Sequence, residues 1–385
     1  MNRLIKQLTA LVFVASVLLY PRMIESQATV MYENQVAVLV YHHIDDRLED
    51  NNVTITPDLF RRQLVYLQDR GYNFISLEQF RTFMSGGAVP VNAVLVTFDD
   101  GYRSYYTHAF PILQELDIPA VHFIITNDLD RSQDVRVPFL SKDEIRKMVA
   151  AHKGKFDFEC HSDRLHHKDK SGTPYLISRT QDGDTVKSDE EYEKTIVNDT
   201  KTCVSKLNEL QPTRHDAYAY PYGMFDKRSV RILGGEGIRY GFTTLSEMAT
   251  GSVDPMQIPR INAGSPYVQP SALHNLITFK TVTEIGADQW VPLGQTVMQI
   301  GGSLMLLPDQ SIQMDWDKRQ WIIHPGSTVV QEGDRTIQLD APIERRGKRN
   351  YIRMGDLQKL IQQKVIYNKN RGYYHVRNAP DKGSQ

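Results

Sequence analysis

Ala93-Val94-Leu95-Val96-Thr97-Phe98-Asp99-Asp100-Gly101-Tyr102 is the stretch that decides the fold. Its apolar, β-branched start reads as a buried strand, and two adjacent carboxylates stand where that strand ends. Neighbouring strand residues point to opposite sides, so the two acids can divide two tasks. One can bind a metal while the other takes a proton. Adjacent carboxylates repel each other, so a cation is expected nearby. Gly101 permits the tight turn that follows. Taken alone, the motif reads equally well as a solvated turn, because Asp and Gly are common turn residues.

Similar apolar runs recur on both sides of this strand. Val36 to Tyr41, Ala120 to Ile125, Phe156 to Cys160, Ala217 to Tyr220 and Tyr240 to Thr244 are further strand candidates. Amphipathic stretches separate them. Thr56-Pro57 suits a helix start, with Phe60, Leu64 and Leu67 on one face. Ser76 with Gln79, and Ser141 with Glu144, are capping-box pairs that open two more helices. Glu190 to Leu210 reads as a long helix with a polar face. This alternation predicts an α/β fold with a parallel sheet or barrel, in which chemistry gathers at the C-terminal ends of the strands.

Three other strand ends carry notable residues. His161-Ser162-Asp163-Arg164-Leu165-His166-His167 follows Cys160. On a helix, His161 and His166 would lie roughly 140° apart, so they can share a metal only from a turning loop. Histidine and carboxylate together form an ordinary ligand set for zinc. A lone histidine pair reads better as a polar surface loop, and the Asp99-Asp100 pair shifts the balance to a metal. Tyr220-Pro221-Tyr222-Gly223 forms a turn that can present backbone N–H groups to a developing oxyanion. Tyr41-His42-His43-Ile44 closes the first strand, where a histidine can protonate a leaving amine or simply cap the strand.

The chain has 385 residues, which predicts two domains. Its net charge of −1 argues against a nucleic-acid partner. The run Arg345, Arg346, Lys348 and Arg349 reads as a solvated face. Pro266 and Pro270 mark a loose connection within residues 264 to 287. From Trp290 onward, short alternating strands predict a small β-rich domain with one helix, Met354 to Gln363. At the N-terminus, Arg3 and Lys6 precede an apolar run from Leu8 to Tyr20, and Ser26-Gln27-Ala28 follows. This is a secretory signal pattern, shorter than the roughly 20 residues that span a bilayer, with an uncleaved membrane anchor as the alternative. An exported chain of this size needs no disulfide scaffold, and Cys160 and Cys203 read as two free, buried thiols.

Thr97 to Tyr102, His161 to His166 and Tyr220 to Gly223, in this order, resemble the polysaccharide deacetylase family. This family is also known as the NodB-homology domain or carbohydrate esterase family 4. The resemblance covers roughly residues 33 to 280. It implies a distorted (β/α) barrel with one divalent metal ion, zinc first, held by Asp100, His161 and His166. It further implies Asp99 as general base and the Tyr222 backbone N–H as oxyanion donor. Three features depart from many members: the histidines are five apart, Ala219 stands where an arginine is usual, and no late Leu-x-His motif is evident. All three resemble the branch that deacetylates poly-β-1,6-N-acetylglucosamine, which implies His42 as the acid. Pro259-Arg260-Ile261 resembles a segment of that branch, and Arg260 is expected to orient Asp99.

Residues 288 to 380 resemble the copper amine oxidase N-terminal-like stalk domain, through Met314 to Asp317, Ile337 to Pro342 and Asn350 to Met354. That similarity implies cell-wall attachment or spacing, and no copper chemistry. The combined expectation is an exported or cell-surface monomer. It would release acetate from an N-acetylglucosamine-containing polysaccharide. The alternatives are a non-catalytic wall-binding protein on a deacetylase scaffold, or an O-acetyl esterase.

Overall fold

In the computed structural model of the chain, the described residues are 29–46, 52–129, 137–152, 154–180, 186–369 and 372–377. The signal or anchor segment of residues 1–28 lies outside them. No helix among the described residues is long and apolar enough to cross a membrane.

Six principal strands form one curled parallel sheet in sequence order. They are β1 (Gln35–Tyr41), β2 (Ala93–Phe98), β3 (Ala120–Ile124), β4 (Phe156–Cys160), β5 (Ala217–Ala219) and β6 (Tyr240–Phe242). Alternation along these strands divides the core in two. Val36, Val38, Leu95, Val121, Phe123, Ala219 and Phe242 face the inside of the curl. Leu39, Val96, Phe98, Phe158 and Tyr218 face the helices outside.

The helices are α1 (Pro57–Asp69), α2 (Leu77–Met84), α3 (Phe110–Glu115), α4 (Lys142–Ala151), α5 (Asp189–Asn208), α6 (Lys227–Gly235) and α7 (Pro270–Phe279). Thr56 caps α1, and the Ser76/Gln79 and Ser141/Glu144 boxes open α2 and α4, as the sequence predicts. Two more boxes, Ser188 with Glu191 and Asp226 with Ser229, open α5 and α6. Helix α7 replaces part of the loose connection expected around Pro270. Proline there supplies the first turn, and Leu273 and Ile277 are buried.

The curl is closed by the segment between β6 and β1. Ile258 bridges to Phe242 in parallel, and Ile261 and Asn262 pair with Leu39 and Val40. Arg260 lies between these two attachments, with its side chain fully buried.

The C-terminal part is β-rich. Strand Trp290–Pro292 joins a three-stranded sheet, Ser303–Leu306 begins a five-stranded meander, and helix Met354–Ile361 packs over a third core around Trp321. A short helix, Leu293–Gln299, was not expected from the sequence. Asn368 donates to the Phe279 carbonyl at 3.0 Å and Arg377 to Thr250 Oγ1 at 3.0 Å, which ties this part to the barrel.

Cys160 and Cys203 form a disulfide, with their Cα atoms 6.1 Å apart. The expectation of free thiols is therefore corrected. Helix α5 packs along β4, and the end of the strand meets Cys203 in the C-terminal half of the helix.

Candidate active site

The loops after β2, β4 and β5, together with the end of β1, converge at one mouth of the curl. Each of the three loops turns through left-handed backbone: φ is 75° at Asp100, 88° at Gly101, 93° at Ser162 and 58° at Tyr222. Non-glycine residues in this region carry strain that the surrounding fold must sustain, and such strain gathers at functional sites. At Gly101 the turn is closed on both sides: the N–H donates to His122 Nε2 at 3.2 Å, and the carbonyl accepts from Leu140 N at 2.9 Å.

Asp99 and Asp100 face different partners. Asp99 Oδ1 and Oδ2 accept from Arg260 Nη1 and Nη2, each at 2.7 Å. His42 Nε2 lies 3.9 Å from Asp99 Oδ2. Burial opposes the Asp99 charge, but the Arg260 guanidinium outweighs it and holds this carboxyl below the usual carboxylate range.

Asp100 faces the two histidines. Its Oδ1 lies 3.3 Å from His161 Nε2 and 3.3 Å from His166 Nε2. One donor atom from each of the three residues falls within 4.8 Å of the other two. Ligands of one tetrahedral ion at about 2.0–2.2 Å would sit roughly 3.3–3.6 Å from one another, so this donor set fits a divalent cation. The outer ring nitrogens strengthen the fit. His161 Nδ1 lies 2.7 Å from the Ala219 carbonyl, and His166 Nδ1 lies 3.2 Å from the Tyr222 hydroxyl. A proton held at Nδ1 leaves Nε2 as the ligand lone pair. Burial opposes the Asp100 charge too, yet the two histidines that face it hold its carboxyl well below the usual range.

The structure thus brings together all seven residues singled out from the sequence: His42, Asp99, Asp100, His161, His166, Tyr222 and Arg260. His43 turns toward Tyr102, with ring centroids 5.2 Å apart. The sequence reading missed His122 on β3. It is fully buried, and burial pushes its pKa down to about 3, so the neutral ring remains an acceptor for the Gly101 N–H. A histidine inside the apolar run Ala120–Ile124 was the available signal. The reading also missed the Tyr222 side chain, whose ring carries Lys168 Nζ 3.8 Å above its centroid.

Residues 86–241 match the sequence model of the Polysaccharide deacetylase family. The chain carries a polysaccharide deacetylase domain. By class this is a hydrolase domain acting on amide bonds. The family match includes both acids, both histidines and Tyr222, and it excludes His42 and Arg260.

The deacetylase domain is similar to the poly-β-1,6-N-acetyl-D-glucosamine N-deacetylase of Staphylococcus epidermidis, 29% identical over 253 residues, covering 62% of this chain and 82% of the relative. The protein of the same name in Staphylococcus aureus is 26% identical over 242 residues, covering 60% and 79%. Among solved structures, IcaB from Ammonifex degensii aligns with a TM-score of 0.54 at 26% identity, covering 63% of this chain and 97% of that one. A de-N-acetylase from Aggregatibacter actinomycetemcomitans shares the fold, with a TM-score of 0.55 at 22% identity over 63% of this chain and all of that one.

Proposed function

We propose that this chain is a metal-dependent N-deacetylase of an extracellular N-acetylglucosamine polymer, with poly-β-1,6-N-acetylglucosamine as the leading substrate. One observation carries the reading. Three metal-type donors converge beside a carboxylate that a buried arginine holds charged and oriented. The names of the relatives support the same choice of substrate.

Asp100, His161 and His166 would hold the divalent cation, with zinc as the first candidate. Bound there, it would supply Lewis-acid polarisation of the acetamide carbonyl and a lower pKa for an attacking water. Asp99 takes a proton from that water, and its bidentate pair with Arg260 keeps it ionised and fixed in direction. The Tyr222 backbone N–H donates to the oxygen where negative charge develops. His42, across from Asp99, returns a proton to the departing glucosamine nitrogen. Acetate and a free amine are the products.

The wider reading follows the sequence. Residues 33–280 form the catalytic domain, and residues 288–380 serve wall attachment or spacing. The protein works as a monomer outside the cell, exported or anchored by its N-terminal segment. The test is acetate release from poly-β-1,6-N-acetylglucosamine, peptidoglycan and chitooligosaccharides, with metal analysis of the same preparation. Release from the β-1,6 polymer above the other two supports the proposal. A metal-loaded protein that frees acetate from none of them refutes it.

A further inference from the structure

Helix α5 supplies none of the candidate site residues, yet one of its faces grips the segment that carries the two histidine ligands. Asp199, Cys203 and Lys206 stand at i, i+4 and i+7, which places them on one side of the helix. Each holds a different part of the stretch from residue 160 to 164. Asp199 Oδ1 accepts from the Asp163 N–H at 2.9 Å, and Oδ2 accepts from the Arg164 N–H at 2.6 Å. Cys203 is bonded to Cys160, the residue immediately before His161. Lys206 Nζ donates to Asp163 Oδ1 at 2.6 Å, and Thr126 Oγ1 reaches the same oxygen at 2.6 Å.

Asp199 is out of place by pattern. It lies among Tyr192, Ile196, Cys203 and Leu207, the buried stripe of α5, and is itself buried. A carboxylate in such a stripe is costly unless its oxygens are used. Here both are used on backbone N–H groups of the loop. Ser162, at φ 93°, turns the chain directly after His161, and the next two N–H groups point at Asp199. The loop must fold back within five residues for His166 to reach the oxygen that His161 faces.

We propose that Asp199 is a positioning residue for the metal centre, acting through the Asp163 and Arg164 N–H groups to fix where His166 stands relative to His161. Lys206, through Asp163, is the second arm of the same clamp. The inference rests on the metal reading given under Proposed function. It adds that the affinity of the site is set from α5, outside the ligand set.

The experiment is a zinc titration against a competing chelator on the full chain, comparing wild type, Asp100→Ala, Asp199→Asn and Lys206→Met. Asp199→Asn conserves volume but presents one oxygen and one NH₂ group to two N–H donors, so one arm of the bond becomes repulsive. Outer partners of this kind typically alter metal affinity by about 10–100-fold. The expected result is zinc binding weakened by about 10-fold or more in Asp199→Asn, with a smaller loss in Lys206→Met. At saturating zinc, kcat should recover further than it does at limiting zinc, with KM little changed. A purely structural role would lower thermal stability and leave zinc affinity as in wild type, which overturns the proposal. If Asp199→Asn does not fold, Lys206→Met decides alone, because its side chain is only 32% exposed yet sits at the rim of the clamp. Wild-type affinity there also overturns the proposal. Asp100→Ala separates the two readings: zinc retained in that variant removes the metal site itself, whereas zinc lost there and unchanged in the clamp variants removes only the role of α5.

Discussion

Arg260 and Asp99 form a fork-to-fork pair, with two 2.7 Å hydrogen bonds, inside the curl of the sheet. The residues are 161 apart in sequence, and the pair exists because the segment carrying Arg260 closes the sheet between β6 and β1. Its Nε–H donates to the Thr243 carbonyl at 2.8 Å, which fixes the guanidinium plane. The guanidinium carbon lies 5.7 Å from the centroid of the Phe123 ring. Ala219, at the position where the family resemblance implies an arginine, instead gives its carbonyl to His161.

Replacing Arg260 should therefore disable the base and leave the metal in place. In Arg260→Met the guanidinium no longer offsets burial, so the Asp99 pKa rises. The base works only when deprotonated, so the acid limb of kcat/KM should move to higher pH. Breaking a buried pair costs about 3–5 kcal/mol of folding stability. Because a positioned general base contributes about 10²–10⁴-fold, a loss of at least about 10²-fold in kcat is expected at neutral pH. Arg260→Lys should not rescue it, because an ammonium cannot make the two parallel bonds. A pH–rate profile together with metal content checks this. An unshifted acid limb would show that Arg260 does not set the ionisation of Asp99.

The framework of this site was legible in the sequence because each motif closes an apolar run. Ala93–Phe98 and Phe156–Cys160 match their strands residue for residue, and the capping residues mark α1, α2 and α4. What escaped depends on contacts between distant segments. Pro270 reads as a loop residue until its helix is seen to bury Leu273 and Ile277. The Cys160–Cys203 bond depends on the packing of α5 against β4, which spacing alone does not encode. His122 looks like a satisfied core histidine, and its bond to the Gly101 N–H appears only once the turn is built.

Removing Asp100 tests the donor set. Asp100→Ala should lose bound metal, because two histidines alone leave the site one charged ligand short. In wild type, adding zinc at about 100 times its Kd should raise stability by about 2.7 kcal/mol, and chelation should reverse this. The variant should show neither effect. Elemental analysis and calorimetric melting with and without zinc give the answer. An unchanged zinc-dependent rise in melting temperature would remove Asp100 from the ligand set.

His42 should matter in proportion to how badly the leaving group needs a proton. Its Nε2 faces Asp99, and its Nδ1 is buried with no hydrogen-bond partner among the described residues. His42→Ala should slow amide hydrolysis by about 10²–10⁴-fold, the usual contribution of a positioned acid. The same variant should hydrolyse p-nitrophenyl acetate within a few-fold of wild type, since nitrophenolate leaves without protonation. Equal losses on both substrates would mean that His42 does not act as the acid.

The disulfide should contribute to stability beyond its place in the clamp. It closes a loop of 43 residues in the unfolded chain, for which loop-closure entropy gives about 4 kcal/mol. Reduction, or Cys160→Ser with Cys203→Ser, should lower the unfolding free energy by roughly 2–4 kcal/mol. Denaturant melts with and without a reductant measure the effect. Coincident curves for the oxidised and reduced protein would show that the link adds nothing to the fold.

Asp157 gives a pH dependence far from the metal centre. It lies on β4, half-buried, and burial pushes its pKa from 3.8 to about 6, against the pull of Arg81 and with help from Glu78. The native chain therefore holds a proton at Asp157 between about pH 4 and pH 6, where the unfolded chain has released it. Stability from this group is greatest below pH 4 and falls as pH rises through 6, the reverse of a salt-bridged carboxylate. Asp157→Asn keeps the shape and removes the titration. Its stability relative to wild type should grow with pH across this window, by about 1–3 kcal/mol, and level off above it. Urea melts of both proteins at pH 4, 5, 6 and 7 measure this difference. A constant gap across all four would mean that burial does not shift Asp157.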